Sequence, residues 1–191
     1  MKATVKMIVV SSALVISALA GKAQSSPSAA GSKQEFRLSV GPEAGIPLGD
    51  LSNSYNWNFG GSIQADIPVI HNLYVTVNAG YNNFFVKKDQ TDLPGKNLQL
   101  IPVKAGLKYF PAGDIFYVQG EAGASFLANK SDLGADKSAA FVYAPQVGVL
   151  LKLAPKNYID LGVRFEGTSA FYNGGNTNNF LGLRAAYSFG L

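Results

Sequence analysis

The sequence predicts an all-β chain that folds as an eight-stranded antiparallel up-and-down β-barrel, and three observations predict it. From residue 35 onward, apolar and polar residues alternate with a period of two, which is typical of strands with one apolar and one polar face. Eight such segments follow one another without a convincing helix between them. Short turns that contain proline alternate with longer polar loops, in a hairpin repeat of about 43 residues that is typical of up-and-down barrels.

The eight predicted strands show the same alternation. In the second of them, Trp57, Phe59 and Ile63 lie on one face, while Ser62 and Gln64 lie on the other. The predicted strands cover residues 35–46, 57–67, 73–86, 98–110, 115–127, 140–153, 158–171 and 179–189. The sequence therefore predicts a barrel domain that extends over residues 35–191.

The N-terminus has the pattern of a secretory signal peptide over residues 1–23. Two lysines precede an apolar run of 12 residues, and small residues follow that run. Cleavage between Ala23 and Gln24 fits best, and cleavage after Ala20 also fits the pattern. Twelve apolar residues are too few to cross a hydrocarbon core of about 30 Å, so this run is not a predicted membrane anchor.

The rest of the composition excludes several classes of protein. Residues 24–34 are small and polar and are predicted to form a flexible segment. The net charge of +4 falls to +1 once the three leader lysines are removed, so no nucleic-acid partner is predicted. The absence of cysteine excludes disulfides and thiolate metal sites, and a single histidine excludes a multi-histidine zinc site. No cofactor or metal is predicted.

The period of the pattern cannot tell which face of the strands points inward. In a secreted, lipocalin-like barrel the apolar face would line a ligand cavity, whereas in an outer-membrane barrel it faces lipid. Charged residues make up 15% of the chain, against about 25% in typical soluble proteins. The polar face is rich in Gly, Ser, Asn and Gln, which fit the narrow interior of eight strands. Both observations favour a transmembrane barrel, with the lipocalin-like barrel as the alternative.

Charged residues within the strands share the polar face, and we expect them to point inward. Because buried charges must be paired, they are predicted to form an ion-pair network that plugs the lumen. The predicted members are Arg37, Glu43, Asp66, Lys104, Lys108, Glu121, Lys152, Asp160, Arg164, Glu166 and Arg184.

Aromatic residues concentrate near both ends of the strands, as the two interfacial girdles of an outer-membrane barrel require. For any single residue, an ordinary strand aromatic is the alternative interpretation, so only the two-ended distribution indicates a membrane. The predicted girdle residues are Trp57, Phe59, Tyr81, Phe85, Tyr109, Phe116, Phe126, Phe141, Tyr143, Phe171, Tyr187 and Phe189.

Four segments carry a resemblance to a known family: FYVQGEAGASF (116–126), PQVGVLLKL (145–153), YIDLGVRFEG (158–167) and FLGLRAAYSF (180–189). The chain resembles the small eight-stranded outer-membrane proteins of Gram-negative bacteria, of the OmpA/OmpX-like kind, and more closely the proteins with a PorT-like barrel domain. The resemblance implies export to the outer membrane, periplasmic chaperones and the barrel-assembly machinery during biogenesis, and outer-membrane lipid around the barrel. We expect no peptidoglycan-binding module of the OmpA type.

The sequence offers little catalytic chemistry, so we expect no enzymatic activity. Its only histidine, His71, lies in a predicted short turn. Outer-membrane acyl enzymes of similar architecture place a histidine near the outer rim, which is the opposite end. The interpretation that fits best is a structural or envelope barrel whose four longer loops bind an extracellular ligand in an adhesion-type role. A narrow channel for small solutes and a lipid-modifying enzyme are the alternatives.

Overall fold

The computed structural model describes residues 35–87, 96–130, 136–171 and 174–191. Eight strands form one closed antiparallel barrel, in which each strand pairs with its neighbours in sequence and the first pairs with the last. The predicted all-β, eight-stranded up-and-down barrel is therefore confirmed. The predicted signal peptide and flexible segment, residues 1–34, lie outside the described residues. Among the described residues, no helix has the length and apolar character needed to cross a membrane.

The strands match the predicted segments to within a few residues at each end. They are β1 Arg37–Leu48, β2 Tyr55–Ile70, β3 Leu73–Val86, β4 Leu98–Ala112, β5 Phe116–Leu127, β6 Ala139–Ala154, β7 Asn157–Thr168 and β8 Asn178–Gly190. The expectation of no convincing helix needs one qualification within the described ranges, because a helical turn, α1 (Leu51–Ser54), lies between β1 and β2. This turn buries Leu51, whose apolar side chain packs into the mouth of the barrel.

Burial alternates along the strands with polar residues inside and apolar residues outside. In β4, Lys104 lies on the luminal face and is 2% exposed, whereas Val103 and Leu107 lie on the outer face and are 43% and 52% exposed. In water, this arrangement would expose a continuous apolar band far larger than soluble proteins tolerate. The outer wall therefore faces lipid, and the polar face fills the lumen.

Among the residues that the structure describes, the lumen contains two apolar clusters, one at each end of the polar interior. At the long-loop end, a cluster closes the barrel with the residues Leu51, Phe84, Leu98, Leu100, Leu127, Ala140, Phe171 and Phe180. At the short-turn end, a smaller cluster consists of Tyr74, Phe110, Tyr117 and Leu150, with Tyr158 packed against it. Most of the polar interior lies between these clusters, which separate it from the two mouths of the barrel.

Phe171 corrects the predicted girdle. Its side chain is 2% exposed and packs inside the long-loop cluster, not on the outer wall. The physical reason is that β7 ends at Thr168, three residues before its predicted end, so the alternation of strand faces no longer applies. Beyond that point the chain returns over the mouth of the barrel, and the Phe171 carbonyl accepts a hydrogen bond from the Lys137 amide at 3.0 Å.

Candidate functional site

The charges nearest the short turns form one group around Lys108. Its Nζ donates to Asp66 Oδ2 at 2.8 Å and to Asp160 Oδ2 at 3.0 Å. Arg184 Nη1 lies 3.3 Å from Asp160 Oδ2, and Arg37 Nε lies 3.9 Å from Asp66 Oδ2. Five different strands contribute these side chains, so the group holds opposite walls of the barrel together.

The second group of charges lies nearer the long loops and is arranged around Glu166. Lys104 Nζ donates to Glu166 Oε2 at 2.5 Å and lies 3.9 Å from Glu121 Oε2. Arg164 Nε is 3.5 Å from the same Glu166 oxygen, and Arg164 Nη2 donates to Glu43 Oε2. Each carboxylate in this group therefore has a cationic neighbour, as burial in a low-dielectric interior requires.

Arg184 connects the two groups. Its Nε lies 3.5 Å from Glu43 Oε1, and its Nη1 lies 3.3 Å from Asp160 Oδ2. The structure thus brings ten of the eleven predicted residues together, five acidic and five basic. All ten are buried, and the connected set carries no net charge.

Lys152 is the predicted member that the structure leaves out of the network. It lies at the short-turn end of β6, opposite Tyr158 and next to a register irregularity between Lys152 and Ala154, and it is exposed. The prediction was wrong here because the alternation of side chains along a strand shows which face a residue lies on, but not whether it lies within the barrel or beyond its end. β6 continues beyond Leu150, the last buried residue of that strand, so Lys152 lies past the luminal interior.

Tyr117 is a network residue that sequence reasoning missed. Its hydroxyl donates to Asp160 Oδ1 at 2.6 Å and accepts a hydrogen bond from Gln146 Nε2 at 2.6 Å. Lys108 Nζ lies 4.4 Å from the ring centroid, a distance at which a cation is attracted to a ring face. A side chain on Gly148 would overlap this ring, so the glycine makes room for it. Tyr117 is four residues from Glu121 on the same strand and therefore lies on the same face, and this spacing could have predicted that its side chain enters the lumen.

Neutral polar side chains, which were not among the predicted members, extend the network. Gln64 and Gln119 donate to one another's carbonyl oxygens at 3.3 and 3.2 Å. Ser62 Oγ donates to Glu43 Oε1 at 2.5 Å, and Thr76 Oγ1 donates to Glu121 Oε1 at 3.0 Å. These hydrogen bonds use carboxylate and amide groups that the ion pairs leave available, which reduces the cost of burying them.

Arg37 closes the short-turn end of the lumen together with aromatic rings. Its guanidinium carbon lies 4.2 Å from the centroid of Tyr74, 5.3 Å from that of Phe110 and 5.7 Å from that of Tyr158. Planar guanidinium groups bind well against ring faces, where the ring quadrupole attracts the cation. The short-turn mouth is thus filled by one cation surrounded by three rings.

The predicted girdle residues other than Phe171 are exposed or half-buried. Trp57 and Phe85 stack with their centroids 4.4 Å apart near the long loops, and Tyr187 and Phe189 are neighbours near the short turns. The exposed members are Trp57, Phe59, Tyr81, Tyr109, Phe116, Phe141, Tyr143 and Tyr187, and the half-buried members are Phe85, Phe126 and Phe189.

Asn97 and Asn129 join the β3–β4 loop to the β5–β6 loop. Asn129 Nδ2 donates to the Asn97 carbonyl at 2.7 Å, and Asn129 Oδ1 accepts from the Gln99 amide at 3.2 Å. Asn97 Oδ1 in turn accepts from the Val86 amide at 3.3 Å. The two side chains therefore act as substitutes for strand pairing where the strands end.

Two further backbone hydrogen bonds extend these connections around the outer rim. The Lys87 amide donates to the Ser54 carbonyl at 2.9 Å, which joins the β3–β4 loop to the β1–β2 loop. The Lys137 amide donates to the Phe171 carbonyl at 3.0 Å, which joins the β5–β6 loop to the β7–β8 loop. We call this connected set of four loop bases the loop rim. No sequence pattern signals it, because it depends on which loops the closed barrel places side by side.

The described residues show no obvious catalytic or metal centre. They contain no group of three or more His, Asp or Glu side chains that could hold a metal ion. His71 is exposed on the β2–β3 turn, at the opposite end from the loop rim.

Comparison with protein families gives a match along most of the chain. A family model described as the outer membrane protein beta-barrel domain matches residues 11–189. None of the curated protein sequences compared with the chain matches it.

The fold is similar to solved outer-membrane barrels. Neisserial surface protein A is 17% identical, covers 82% of this chain and 97% of its own, and has a TM-score of 0.57. OprG of Pseudomonas aeruginosa is 12% identical, covers 82% and 95%, and has a TM-score of 0.52. Ail of Yersinia pestis is 13% identical, covers 82% and 100%, and has a TM-score of 0.51. Ail was also solved in complex with the heparin analogue sucrose octasulfate.

Proposed function

The chain belongs to the family of outer membrane protein β-barrel domains and therefore to the outer membrane of Gram-negative bacteria, and from this premise we propose that it is a non-enzymatic, adhesion-type barrel. In this role the barrel wall is a rigid support, and the four loops bind an extracellular ligand. We also propose that residues 1–23 direct export, with cleavage between Ala23 and Gln24, and that periplasmic chaperones and the barrel-assembly machinery insert the chain.

The loop rim is the observation that carries this proposal. Asn97 and Asn129 hold the bases of two loops, and the amides of Lys87 and Lys137 join these loops to the other two. A surface whose parts are already held in place loses less conformational entropy when it binds, so more of the interaction energy contributes to affinity. Loops on a rigid scaffold are also where recognition residues usually lie.

The filled lumen supports a binding role over a solute channel. A neutral network of ten buried charges occupies the interior, and apolar clusters lie at both mouths within the described residues. An ion would have to displace paired charges such as Lys104 and Glu166, which lie 2.5 Å apart. Breaking a buried pair of this kind costs about 3–5 kcal/mol, which disfavours conduction.

The charges of the loops suggest which ligands to test first. The β3–β4 and β5–β6 loops together carry five lysines and four aspartates, whereas residues 169–177 between β7 and β8 carry no charge. Since Ail was solved with a heparin analogue, heparin is a reasonable anionic probe for the lysine-bearing half of the rim. Collagen and fibronectin serve as protein probes of the whole rim.

The test uses a non-adherent Gram-negative host that expresses the full chain. We expect it to adhere to at least one of the three coated surfaces, and we expect adherence to be lost when the four long loops are replaced by two-residue Asn-Gly turns. A variant changed only at the opposite end, His71→Asn, is the matched control and should adhere like wild type. Adherence that survives loop replacement, or solute flux through reconstituted wild-type protein, would contradict the proposal.

A further inference from the structure

A groove of about 850 Å³ crosses the outer wall of the barrel, and we call it the diagonal groove. It begins at Pro111 and Phe116, at the short-turn ends of β4 and β5, and passes Val147 and Val163 on β6 and β7. It ends at Phe59 on β2, toward the long loops. Its volume lies within the range of about 300–1,000 Å³ that is typical of small-ligand sites.

The groove exists because small side chains on the outer wall lie between larger ones. Pro42, Ala44 and Ala185 face outward where β8 and β1 meet, while Leu183 and Phe59 beside them are exposed and large. The charged residues along its course, such as Glu43 and Arg184, direct their side chains into the luminal network. The surface that a ligand would contact is therefore almost entirely apolar.

An acyl chain is the ligand that this surface fits. The outer wall lies in the hydrocarbon region, so chains of lipid already surround it. A chain that lies in a groove contacts protein on three sides instead of one, and each additional carbon contact adds a small dispersion attraction. The groove reaches the short-turn end of the barrel, where a headgroup on such a chain would meet the turns.

The turns at that end carry charges of both signs. Lys152 and Lys156 lie at the β6–β7 turn, Asp114 lies at the β4–β5 turn, and all three are exposed. The Leu150 amide donates to the Ile115 carbonyl at 2.7 Å, so the ends of β5 and β6 that bear Asp114 and Lys152 are adjacent. Lys152 forms no hydrogen bond or ion pair with any residue in the described ranges, and the luminal network is neutral without it.

We propose that the diagonal groove binds one phospholipid whose headgroup carries both a phosphate and a primary ammonium, as in phosphatidylethanolamine. The phosphate lies at Lys152 and Lys156, the ammonium donates to the Asp114 carboxylate, and an acyl chain follows the groove past Val147 and Val163. Short turns of outer-membrane barrels face the periplasm, so the site takes its lipid from the periplasmic leaflet. This site is separate from the loop rim and does not depend on the proposed adhesion role.

The test measures lipid retention by native mass spectrometry of the full barrel in mild detergent. The protein is mixed with equal amounts of phosphatidylethanolamine, phosphatidylglycerol and phosphatidylcholine that have identical acyl chains. We expect one phosphatidylethanolamine to be retained about tenfold more than either of the others, which corresponds to about 1.4 kcal/mol. Phosphatidylglycerol lacks the ammonium, and the trimethylammonium of phosphatidylcholine cannot donate a hydrogen bond.

Matched variants separate the groove from the headgroup contacts. Ala185→Trp fills the groove and should abolish retention of all three lipids, whereas Ala105→Trp places the same ring on the outer wall away from the groove and should leave retention unchanged. Asp114→Ala, which removes the partner of the ammonium, should keep some retention but lose the preference for phosphatidylethanolamine, whereas Lys152→Ala/Lys156→Ala should lower the retention of all three lipids. Each variant must still shift on a gel after boiling, which shows that it is folded.

Two results would overturn the proposal. Equal retention of the three headgroups by wild type would mean that the turns do not recognise the primary ammonium. An effect of Ala105→Trp as large as that of Ala185→Trp would mean that only general lipid contact with the wall is measured. If Ala185→Trp does not fold, Asp114→Ala decides the question by its headgroup preference.

Discussion

Lys104 on β4 and Glu166 on β7 meet inside the barrel, with Lys104 Nζ 2.5 Å from Glu166 Oε2. The two strands are not neighbours in the sheet, so this ion pair spans the lumen and does not belong to any one hairpin. Both side chains are fully buried. The pair therefore connects separate parts of the wall and also excludes solvent from the centre of the barrel.

Removing the cation from this pair should destabilise the barrel. Lys104→Met keeps a similar length but leaves Glu166 and Glu121 without the cation that lies 2.5 and 3.9 Å from them. We expect the free energy of unfolding to fall by about 3–5 kcal/mol, because one or more carboxylates stay buried without compensation. Urea titration in lipid vesicles measures the change. Lys137→Met in the exposed β5–β6 loop is the control, and an equal effect of both substitutions would contradict this prediction.

Tyr143 and Gly167 form a close pair on the outer wall. They are opposite one another on β6 and β7, and a Cβ on Gly167 would lie 2.6 Å from carbon atoms of the Tyr143 ring. We expect Gly167→Val to destabilise the barrel by about 1–3 kcal/mol through overpacking. Gly120→Val is the matched control, since a Cβ there meets nothing within 4 Å. In a Tyr143→Ala background the cost of Gly167→Val should largely disappear, and a cost that persists would refute the steric explanation.

Spin labels at neighbouring positions should report opposite faces of β7. Val163 is exposed on the outer wall and Arg164 is buried in the lumen. Because the chain has no cysteine, a single cysteine at either position can be labelled specifically. We expect lipid-soluble oxygen to relax the label at 163 and not the label at 164. Access of oxygen at 164, or water at both positions, would show that the faces are assigned incorrectly.

Charge on the lipid face should also be costly. Val163→Arg places a guanidinium against hydrocarbon, and we expect a loss of about 2–4 kcal/mol in the free energy of unfolding if the position is near the midplane. An arginine substitution at an exposed loop position, Asn176→Arg, should change stability by less than about 0.5 kcal/mol. Equilibrium unfolding in vesicles compares the two, and similar losses would argue against lipid contact at Val163.

The mature protein should begin at Gln24 and fractionate with the outer membrane. Intact-mass measurement and N-terminal sequencing of protein from the membrane fraction determine the first residue. The folded barrel should migrate differently before and after boiling, because its closed ladder of backbone hydrogen bonds resists detergent. A soluble periplasmic product without this shift would contradict the prediction, and a first residue of Gly21 would move the cleavage to Ala20.

Asn129→Ala should loosen the loop rim without unfolding the barrel. The substitution removes the acceptor of the Gln99 amide and the donor to the Asn97 carbonyl. We expect faster hydrogen exchange at the Gln99 amide, with a change of only about 1–2 kcal/mol in global stability. Asn176→Ala, at an exposed position of the β7–β8 loop, is the comparison variant. Unchanged exchange at Gln99 would show that Asn129 does not hold the loop base.

Alternation along the strands predicted which face most side chains occupy. Since side chains of a strand point to opposite sides in turn, the parity of Lys104, Asp160 and Arg184 was enough to place them inside. The same pattern placed Val163 and Leu183 on the wall, where the structure has them. Number, order and connection of the strands also followed from local signals, because short turns and long loops are marked by residues near them in sequence.

The alternation of side chains along a strand could not predict how far along the barrel a residue lies or which residue it contacts. Lys152 and Phe171 were misplaced because each lies beyond the point at which its strand stops lining the barrel, and strand ends depend on contacts with neighbouring strands. Pairing of Lys104 with Glu166, and of Tyr117 with Asp160, depends on the register around the closed sheet, which joins residues 62 and 43 positions apart. Closure also placed the four loop bases side by side and created the diagonal groove. The sequence by itself thus determined the faces of the strands, and the tertiary structure decided which residues meet, since only closure of the sheet brings distant strands together.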